Sequence, residues 1–287
     1  MASASGLFLV PAEQRDPRNT STKGTGELIA DALKNGARDI TIAIGGSATN
    51  DGGMGCLSAL GVKFLDKDGN VLEGIGSDLA KLADADLSGL MPEAKEAKFT
   101  IMCDVDNPLL GPDGATYTFG PQKGATEEIK KELEAGMENY TAVLKNKLGM
   151  DTDFPGAGGA GGLGAGLVCF LGANLKSGCE AVLSLVKFDE HLEKADIVIT
   201  GEGRIDWQSA HGKVIAGVSA HCKKFGKPCI AIVGGMGDRA EDMLDCVDSI
   251  IPTVQGPCSL EYAMENAEKL YYSAAIRTLR LIKTGNH

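Results

Sequence analysis

The sequence predicts an α/β protein, in which helices flank a parallel sheet of the Rossmann-like or flavodoxin-like kind, with a second domain of mixed α/β structure. Short β-rich runs at residues 39–44, 197–200 and 229–233 alternate with helical patterns. Such alternation is typical of parallel sheets with helices on both faces. A chain of 287 residues exceeds the usual size of one domain. We therefore expect two domains, at residues 1–150 and 151–287.

The elements of the first domain follow from local periodicity. The run GELIADALKNGA, from Gly26, has helical spacing; residues 39–44 form a short strand, and a helix resumes over residues 54–60. The apolar run at residues 99–103 predicts another strand and leads into an acidic loop. The charged stretch at residues 126–148 has the spacing of an amphipathic surface helix.

The second domain begins with a glycine-rich run. Residues 156–161 satisfy the pattern G-x-G-x-x-G, but the preceding residues 151–155 do not read as the strand that a dinucleotide site requires. A nicotinamide-dependent oxidoreductase therefore has little support. The run also lacks the Gly-Lys-Ser/Thr ending of a P-loop. Contact with phosphate through backbone amides and close packing of a helix remain equally open explanations.

Charge and composition exclude several classes of partner. A net charge of −11 argues against nucleic-acid and anionic-membrane partners, which select basic surfaces. The start MASASGLFLVPAEQRD has neither the basic region nor the apolar core of a signal peptide, so we expect a cytoplasmic protein. Eight dispersed cysteines without a C-x-x-C pair indicate reduced thiols and no zinc site.

A glycine-rich loop follows the first predicted strand and precedes a helix. Backbone N–H groups and the helix dipole would converge there and favour an anion. The alternative is a tight turn with helix caps. We predict that the loop binds phosphate or substrate through Gly45, Gly46, Ser47, Thr49, Asn50, Asp51, Gly52 and Gly53.

Two acidic residues, Asp104 and Asp106, follow the predicted strand at residues 99–103. They are candidate Mg²⁺ ligands, and Asp104 is a candidate catalytic residue, acting as a base toward a substrate hydroxyl. An Asx-type turn before Pro108 would explain the same residues equally well.

A third group follows the strand at residues 197–200, at the carboxyl end where open parallel sheets place ligands. Glu202 and Lys213 are predicted to bind substrate or phosphate, and Arg204 and Asp206 are candidate catalytic residues. The planar guanidinium of Arg204 suits a carboxylate or phosphate, although a surface salt bridge is the alternative.

These motifs resemble those of the bacterial-type glycerate kinase family. The matching strings are TKGTG, IGGSATNDGG, CDVDNPLLGP, FGPQKGA, GAGGAGGLGAG and ITGEGRID, in family order. They stand at residues 22–26, 44–53, 103–112, 119–125, 156–166 and 199–206. So many long strings in one order make a chance match implausible.

The resemblance implies an ATP-dependent phosphotransferase with an alcohol acceptor. It implies transfer of the γ-phosphate from MgATP to D-glycerate, with 2-phosphoglycerate favoured as product. ATP and Mg²⁺ are then the cofactors, and glycerate and ATP are the small-molecule partners. In this scheme Asp104 or Asp206 serves Mg²⁺ or acts as base, while Arg204 and Lys213 clamp charge. Whether the chain forms a homo-oligomer is left open.

The resemblance also implies a missing part. Family members usually open with a strand and loop of the D-S-F-K-G kind, followed later by a D-G-G-E-G turn, and neither string occurs in this sequence. We therefore expect about the first quarter of the family's length to be absent. The alternative function is accordingly a truncated, catalytically impaired remnant that still binds glycerate or nucleotide.

Overall fold

The computed structural model describes residues 1–206 and 214–285, and the chain divides into two compact units, Met1–Gly178 and Cys179–His287. Each unit contains a parallel sheet with helices, which confirms the predicted α/β class. The division falls after residue 178, whereas the sequence predicted it after residue 150. The intervening glycine-rich run packs into the first unit, where the Gly161 carbonyl accepts a hydrogen bond from the Gly52 N–H.

The first unit is built around a small parallel sheet. Its helices are α1 (Ala2–Ser5), α2 (Lys23–Lys34), α3 (Met54–Ala59), α4 (Pro92–Glu96), α5 (Ala115–Phe119), α6 (Glu127–Leu148) and α7 (Leu163–Leu171). Its strands are β1 (Asp39–Ala43), β2 (Lys63–Leu65), β3 (Asp84–Asp86), β4 (Lys98–Met102) and β5 (Asn174–Lys176). Strands β1, β4 and β5 form the parallel sheet in that order, and β2 and β3 pair antiparallel.

The parallel pairing sets the position of the loops. Strand β1 pairs with β4 from Asp39 opposite Lys98 to Ala43 opposite Met102. Because both strands run in the same direction, the glycine loop after β1 and the acidic loop after β4 leave the sheet at the same edge. Two of the sequence-predicted groups are therefore brought together by the sheet itself.

Helix α6 is more deeply packed than a surface helix. The Thr126 hydroxyl caps its first turn by accepting the Ile129 N–H, and Gly149 ends it in the left-handed conformation. The centre of its apolar face is buried, and the Tyr140 hydroxyl donates to the Gly52 carbonyl at 2.8 Å. Most of its charged residues are exposed on the other face, but Glu134 is buried. The helix is therefore a core element with one solvent-exposed side.

The second unit has its own parallel sheet. Its helices are α8 (Gly178–Leu185), which starts at the unit boundary, α9 (Phe188–Leu192), α10 (Val214–Lys224), α11 (Leu260–Glu265) and α12 (Ala267–Gly285). Its strands are β6 (Val198–Thr200), β7 (Arg204–Ile205), β8 (Cys229–Val233), β9 (Gly235–Met236) and β10 (Ser249–Pro252).

Strand β8 lies between β10 and β6, and both pairs are parallel. Every residue of β8 is buried, as expected for a central strand covered on both faces. Strands β7 and β9 form a separate two-stranded parallel ladder. The predicted strand at residues 229–233 is confirmed with the same bounds, and the one predicted at residues 197–200 begins one residue later.

Within the described residues, no helix is both long and apolar enough to cross a membrane. The eight cysteines, all in the described part of the chain, form no disulfide.

A histidine between two carboxylates links three helices of the second unit. His221 of α10 pairs through Nδ1 with Asp189 of α9, and its Nε2 lies 3.1 Å from a carboxylate oxygen of Glu180 on α8. Lys224 also contacts Asp189, at 3.2 Å. The hydrogen bond that His221 donates to Asp189 raises the pKa of His221 and lowers the pKa of Asp189.

We predict that His221→Gln destabilises the second unit in a pH-dependent manner. The stabilisation from His221 is fully present below its ordinary pKa of 6.5 and is lost as the pH rises through its raised folded pKa. The contribution of Asp189 is present above its ordinary pKa of 3.8 and is lost in acid. Thermal unfolding should therefore show the largest deficit between these two values and a smaller one in alkali. His191→Gln, at an exposed site on α9, is the control, and an equal deficit in both variants would contradict the prediction.

Candidate active site

A cavity of about 270 Å³ lies at the shared edge of β1 and β4 in the first unit. It is lined by residues 44–47, residues 102–105, Phe119, Gln122, Gly159 and Ala160. We call it the first cavity. It unites the start of the predicted glycine loop with the predicted acidic loop, and its volume suits a small polar molecule.

The beginning of the glycine loop supplies unpaired donors. Gly45, Gly46 and Ser47 all line the first cavity. Within the described residues, the N–H groups of these three and the Ser47 hydroxyl have no hydrogen-bond acceptor in the protein. Successive unpaired amides of this kind form an anion-binding concavity. The loop therefore offers an anion site at its first three residues.

The rest of the loop is buried inside the unit. The Thr49 carbonyl accepts a hydrogen bond from Lys123, and the Asn50 side-chain amide donates to the Thr116 hydroxyl. Gly52 and Gly53 have positive φ, of 63° and 80°, which glycine adopts most easily. None of Thr49, Asn50, Asp51, Gly52 and Gly53 lines the first cavity. Binding of substrate by these five stays a prediction, and their observed contacts are structural.

Asp51 is the centre of this buried part, with 0% of its surface exposed. One carboxylate oxygen accepts both the N–H and the hydroxyl of Thr22, each at 2.7 Å, and the Gly55 N–H at 3.3 Å. The other oxygen accepts the Gly53 N–H at 3.0 Å. Burial raises the pKa of Asp51, and the hydrogen bonds from Thr22, Gly53 and Gly55 act in the opposite direction.

The same contacts fill the start of α3. Gly55 donates to the Asp51 carboxylate, Met54 to the Asp51 carbonyl, and Cys56 to the Thr22 hydroxyl. The helix terminus that the sequence predicted as a phosphate site is thus occupied by the protein's own carboxylate. The loop donors that remain open to a ligand are those of Gly45, Gly46 and Ser47.

The acidic loop places its two residues differently. Asp104 lines the first cavity, is exposed, and accepts the Gly178 N–H through one oxygen at 2.6 Å. Asp106 is also exposed but lies outside the cavity lining. Among the described residues, no cluster of three or more histidine, cysteine or acidic side chains has the geometry of a metal site. A cation near Asp104 would therefore depend on substrate phosphates and water for its other ligands.

The third predicted group belongs to the second unit. Arg204 in β7 is exposed and borders a separate cavity of about 450 Å³, which we call the second cavity. The Glu202 carbonyl accepts the Gly234 N–H, while its side-chain Oε1 is buried without a hydrogen-bond partner among the described residues. Asp206 is half-buried. Lys213 lies outside the described residues.

The glycine-rich run of residues 156–166 mainly serves packing. A side chain at Gly158 would lie 2.3 Å from the Pro108 carbonyl oxygen, and one at Gly161 would lie 2.0 Å from that of Thr49. A side chain at Gly166 would lie 2.6 Å from the Gly52 carbonyl oxygen. These close approaches pack the run against both the acidic loop and the glycine loop, and they explain why the run is rich in glycine. Gly159 and Ala160 nevertheless border the first cavity.

Several residues of this region were missed by sequence reasoning. Lys123 is 2% exposed and donates to the Thr49 carbonyl at 2.7 Å; burial lowers its pKa to about 7, and the charge of Asp51 opposes this. Gln122 and Cys103 line the first cavity. Thr22 and Lys123 both fall in strings that matched the family, but no local pattern marks them as buried partners of a loop.

Comparison with known proteins decides the family. The sequence matches the glycerate kinase family over residues 1–283. The chain belongs to that family. It is 50% identical over 259 residues to the glycerate 2-kinase of Escherichia coli strain K12, covering 88% of this chain and 68% of that protein. It is 44% identical to a glycerate kinase of Halalkalibacterium halodurans, covering 100% of this chain and 76% of that one.

A solved structure agrees with the fold of this family member. The crystal structure of a protein from Salmonella typhimurium LT2, described as glycerate kinase 2, superposes with a TM-score of 0.86 at 42% identity. The match covers 99% of this chain and 75% of the other. The α/β architecture and the kinase family assignment therefore rest on agreement in both sequence and structure.

We predict that Asp51→Asn lowers the unfolding free energy of the first unit by about 2–3 kcal/mol, because an amide replaces a carboxylate that accepts four hydrogen bonds. Urea denaturation measures the change. Asp106→Asn, at an exposed carboxylate, is the matched control and should shift it by about 0.5 kcal/mol or less. Unchanged stability of Asp51→Asn together with impaired substrate binding would instead support the role in the site predicted from the sequence.

Proposed function

We propose that this protein is a glycerate kinase that transfers the γ-phosphate of ATP to a hydroxyl of D-glycerate, with 2-phosphoglycerate as product. The observation that carries the proposal is the first cavity, where unpaired loop donors and the Asp104 carboxylate meet in a chain of the glycerate kinase family. The 2-phospho isomer is favoured because the E. coli relative, at 50% identity, is called a glycerate 2-kinase.

The first cavity suits the acceptor. The N–H groups of Gly45 and Gly46 and the hydroxyl of Ser47 would hold the glycerate carboxylate, since they have no acceptor among the described residues. Gln122, on the same lining, adds a side chain able to donate to a hydroxyl of the substrate. Glycerate is small and polar, which matches a cavity of about 270 Å³.

Asp104 is the proposed base. It is exposed at the cavity, and the Gly178 N–H fixes one of its oxygens at 2.6 Å, so its carboxylate is oriented by the backbone. In the reaction the glycerate hydroxyl oxygen bonds to the γ-phosphorus and the bond from that phosphorus to the bridging oxygen breaks. ADP leaves, and the hydroxyl proton passes to Asp104.

The donor set at the first cavity is also compatible with Mg²⁺, which proteins often hold with one or two carboxylates while phosphates and water complete the shell. Asp104 is the residue best placed to hold it, and Asp106 is the second candidate from the sequence. When bound, the ion would neutralise charge on the phosphates. Arg204 and Lys213 are proposed to clamp negative charge on the phosphoryl donor. Asp206 is proposed as the alternative to Asp104 as Mg²⁺ ligand or base, and Glu202 is proposed to bind substrate or phosphate.

We place this reaction in the cytoplasm. The proposal is supported by eight cysteines without a disulfide, a pattern expected in a reducing compartment.

The first test of the function is glycerate-dependent release of ADP by the purified chain with Mg²⁺, with the product identified by phosphorus NMR. We expect 2-phosphoglycerate and a turnover number between about 1 and 10³ per second. Binding of ATP and glycerate without any turnover would contradict the proposal. Formation of 3-phosphoglycerate would retain the kinase and overturn only the assigned position.

For the base, we predict that Asp104→Asn lowers kcat by about 10²- to 10⁴-fold with little change in the glycerate KM, because the amide cannot accept the proton. Asp113→Asn, at an exposed carboxylate outside the cavity lining, is the control and should retain the activity. Titration with Mg²⁺ separates the two roles of Asp104. Activity of Asp104→Asn that returns to the wild-type level at high Mg²⁺ would contradict the base and support a metal ligand.

A further inference from the structure

The second cavity lies where the loops of one parallel sheet converge. Strands β6, β8 and β10 end at Thr200, Val233 and Pro252, and their parallel pairing puts these ends at one edge. The cavity is lined by residues that follow the ends, in the segments 203–204, 234–236 and 254–263. Open parallel sheets place their ligands at this edge. All the lining residues belong to the second unit.

Three glycines of this lining are explained neither by a left-handed backbone conformation nor by close packing. Four glycines of the described residues combine two properties: their φ lies outside the left-handed region, and an added Cβ would meet no atom within 4 Å. They are Gly45, Gly203, Gly235 and Gly256. Neither backbone conformation nor packing among the described residues requires glycine at these positions, and close approach of backbone to a ligand is another use of glycine.

These four glycines are confined to the two cavities. Gly45 lines the first cavity, and Gly203, Gly235 and Gly256 all line the second. Neighbouring glycines differ: a Cβ at Gly234 would lie 2.3 Å from the Gly203 carbonyl oxygen, and one at Gly201 would lie 2.2 Å from that of Ile232. Each described glycine whose added Cβ would meet no atom, and whose φ is not left-handed, therefore lies in a cavity wall. Three of the four line the second cavity.

The chemistry of the lining selects the ligand. Met236, Val254, Pro257, Leu260 and Ala263 supply an apolar wall, and Met236 and Leu260 remain 41% and 78% exposed. Of the described residues that line the cavity, Arg204 has the one charged side chain. An apolar wall suits a flat heterocycle, and a single guanidinium beside it suits a phosphate.

We propose that the second cavity binds the phosphoryl donor, with the adenosine part against the apolar wall and a phosphate at Arg204. This inference rests on the proposed function for the identity of the donor as ATP. A volume of about 450 Å³ lies in the range of small-molecule sites and is poorly filled by glycerate, which is also too polar for this wall. None of the described residues that line the second cavity has an acidic side chain to repel a polyanion.

The glycines provide a test that leaves the fold intact. Gly235→Val and Gly256→Val fill the cavity from its wall, and the open space at each Cβ means that neither replacement meets a protein atom at that position. We expect each to raise the Kd of ADP at least tenfold, measured by calorimetry without turnover, while glycerate binding stays within twofold of wild type. Gly45→Val is the matched control and should show the reverse pattern. Thermal unfolding checks that each variant is folded.

Two further measurements identify the parts of the ligand. Arg204→Met should weaken ADP binding and leave adenosine binding unchanged. In the unmodified chain, ADP should slow alkylation of Cys258, an exposed thiol of the second cavity, and adenosine should do the same. Glycerate should instead protect Cys103 of the first cavity. Peptide mass spectrometry separates the two thiols, and this arm remains informative if a glycine variant fails to fold.

The outcomes separate this inference from the proposed function. An ADP Kd within twofold of wild type in both second-cavity variants overturns the inference, whether or not the enzyme turns over. A loss of glycerate binding in those variants, with ADP binding intact, also overturns it, by assigning the cavity to the acceptor. If wild type binds ADP at the second cavity but forms no phosphoglycerate, the nucleotide site stands and the kinase proposal fails.

Discussion

The first unit depends on one buried carboxylate. Asp51 collects donors from three places: the segment before α2, its own loop and the first turn of α3. A side chain with a single acceptor oxygen could not serve all of them, and burying an ionised group is tolerated only when it is fully hydrogen-bonded. By fixing the buried half of the loop, this interaction determines which residues are left at the cavity. Gly45, Gly46 and Ser47 are available because the residues after them are already committed.

Burial of the Lys123 side chain lowers the stability of the folded chain when its amino group is charged. Its pKa of about 7 lies below the ordinary 10.5, so between these values the unfolded chain holds a proton that the folded chain does not. The cost of burying Lys123 is therefore largest below about pH 7 and falls as the pH rises toward 10.5. Buried Lys123 donates a hydrogen bond to the Thr49 carbonyl. This bond connects the glycine loop to the segment that contributes Gln122 to the first cavity.

Local sequence patterns were sufficient for the elements and their class. The strands β4 and β8 and the helix α6 follow from short apolar runs and from spacing, which depend only on near neighbours. The loop after β1 was located correctly, but its division into an open start and a buried end was not foreseen. That division depends on Thr22, Lys123 and Tyr140, which are distant in sequence and reach the loop only in the folded chain.

The glycines show most clearly what local sequence patterns cannot predict. In the sequence, Gly53 and Gly45 belong to one motif and look equivalent. In the structure, Gly53 is required by its positive φ, Gly161 by contact with the Thr49 carbonyl, and Gly45 by neither. Because a glycine has no side chain, its reason lies entirely in its surroundings. A motif can therefore indicate a ligand site without indicating which of its residues meet the ligand.

Strand β8 has a consequence for the dynamics of the second unit. All five of its residues are buried and it pairs on both sides, so its amides should be among the last of that unit to exchange with deuterated solvent. Gly234 and Gly235 follow directly from its end. The wall of the second cavity formed by Gly234 and Gly235 is thus attached to strand β8, which should be the last strand of the unit to open. The opposite wall, formed by residues 254–260, continues into the exposed helix α11. Motion that admits a ligand should come from that second wall, with the glycine wall as the fixed side.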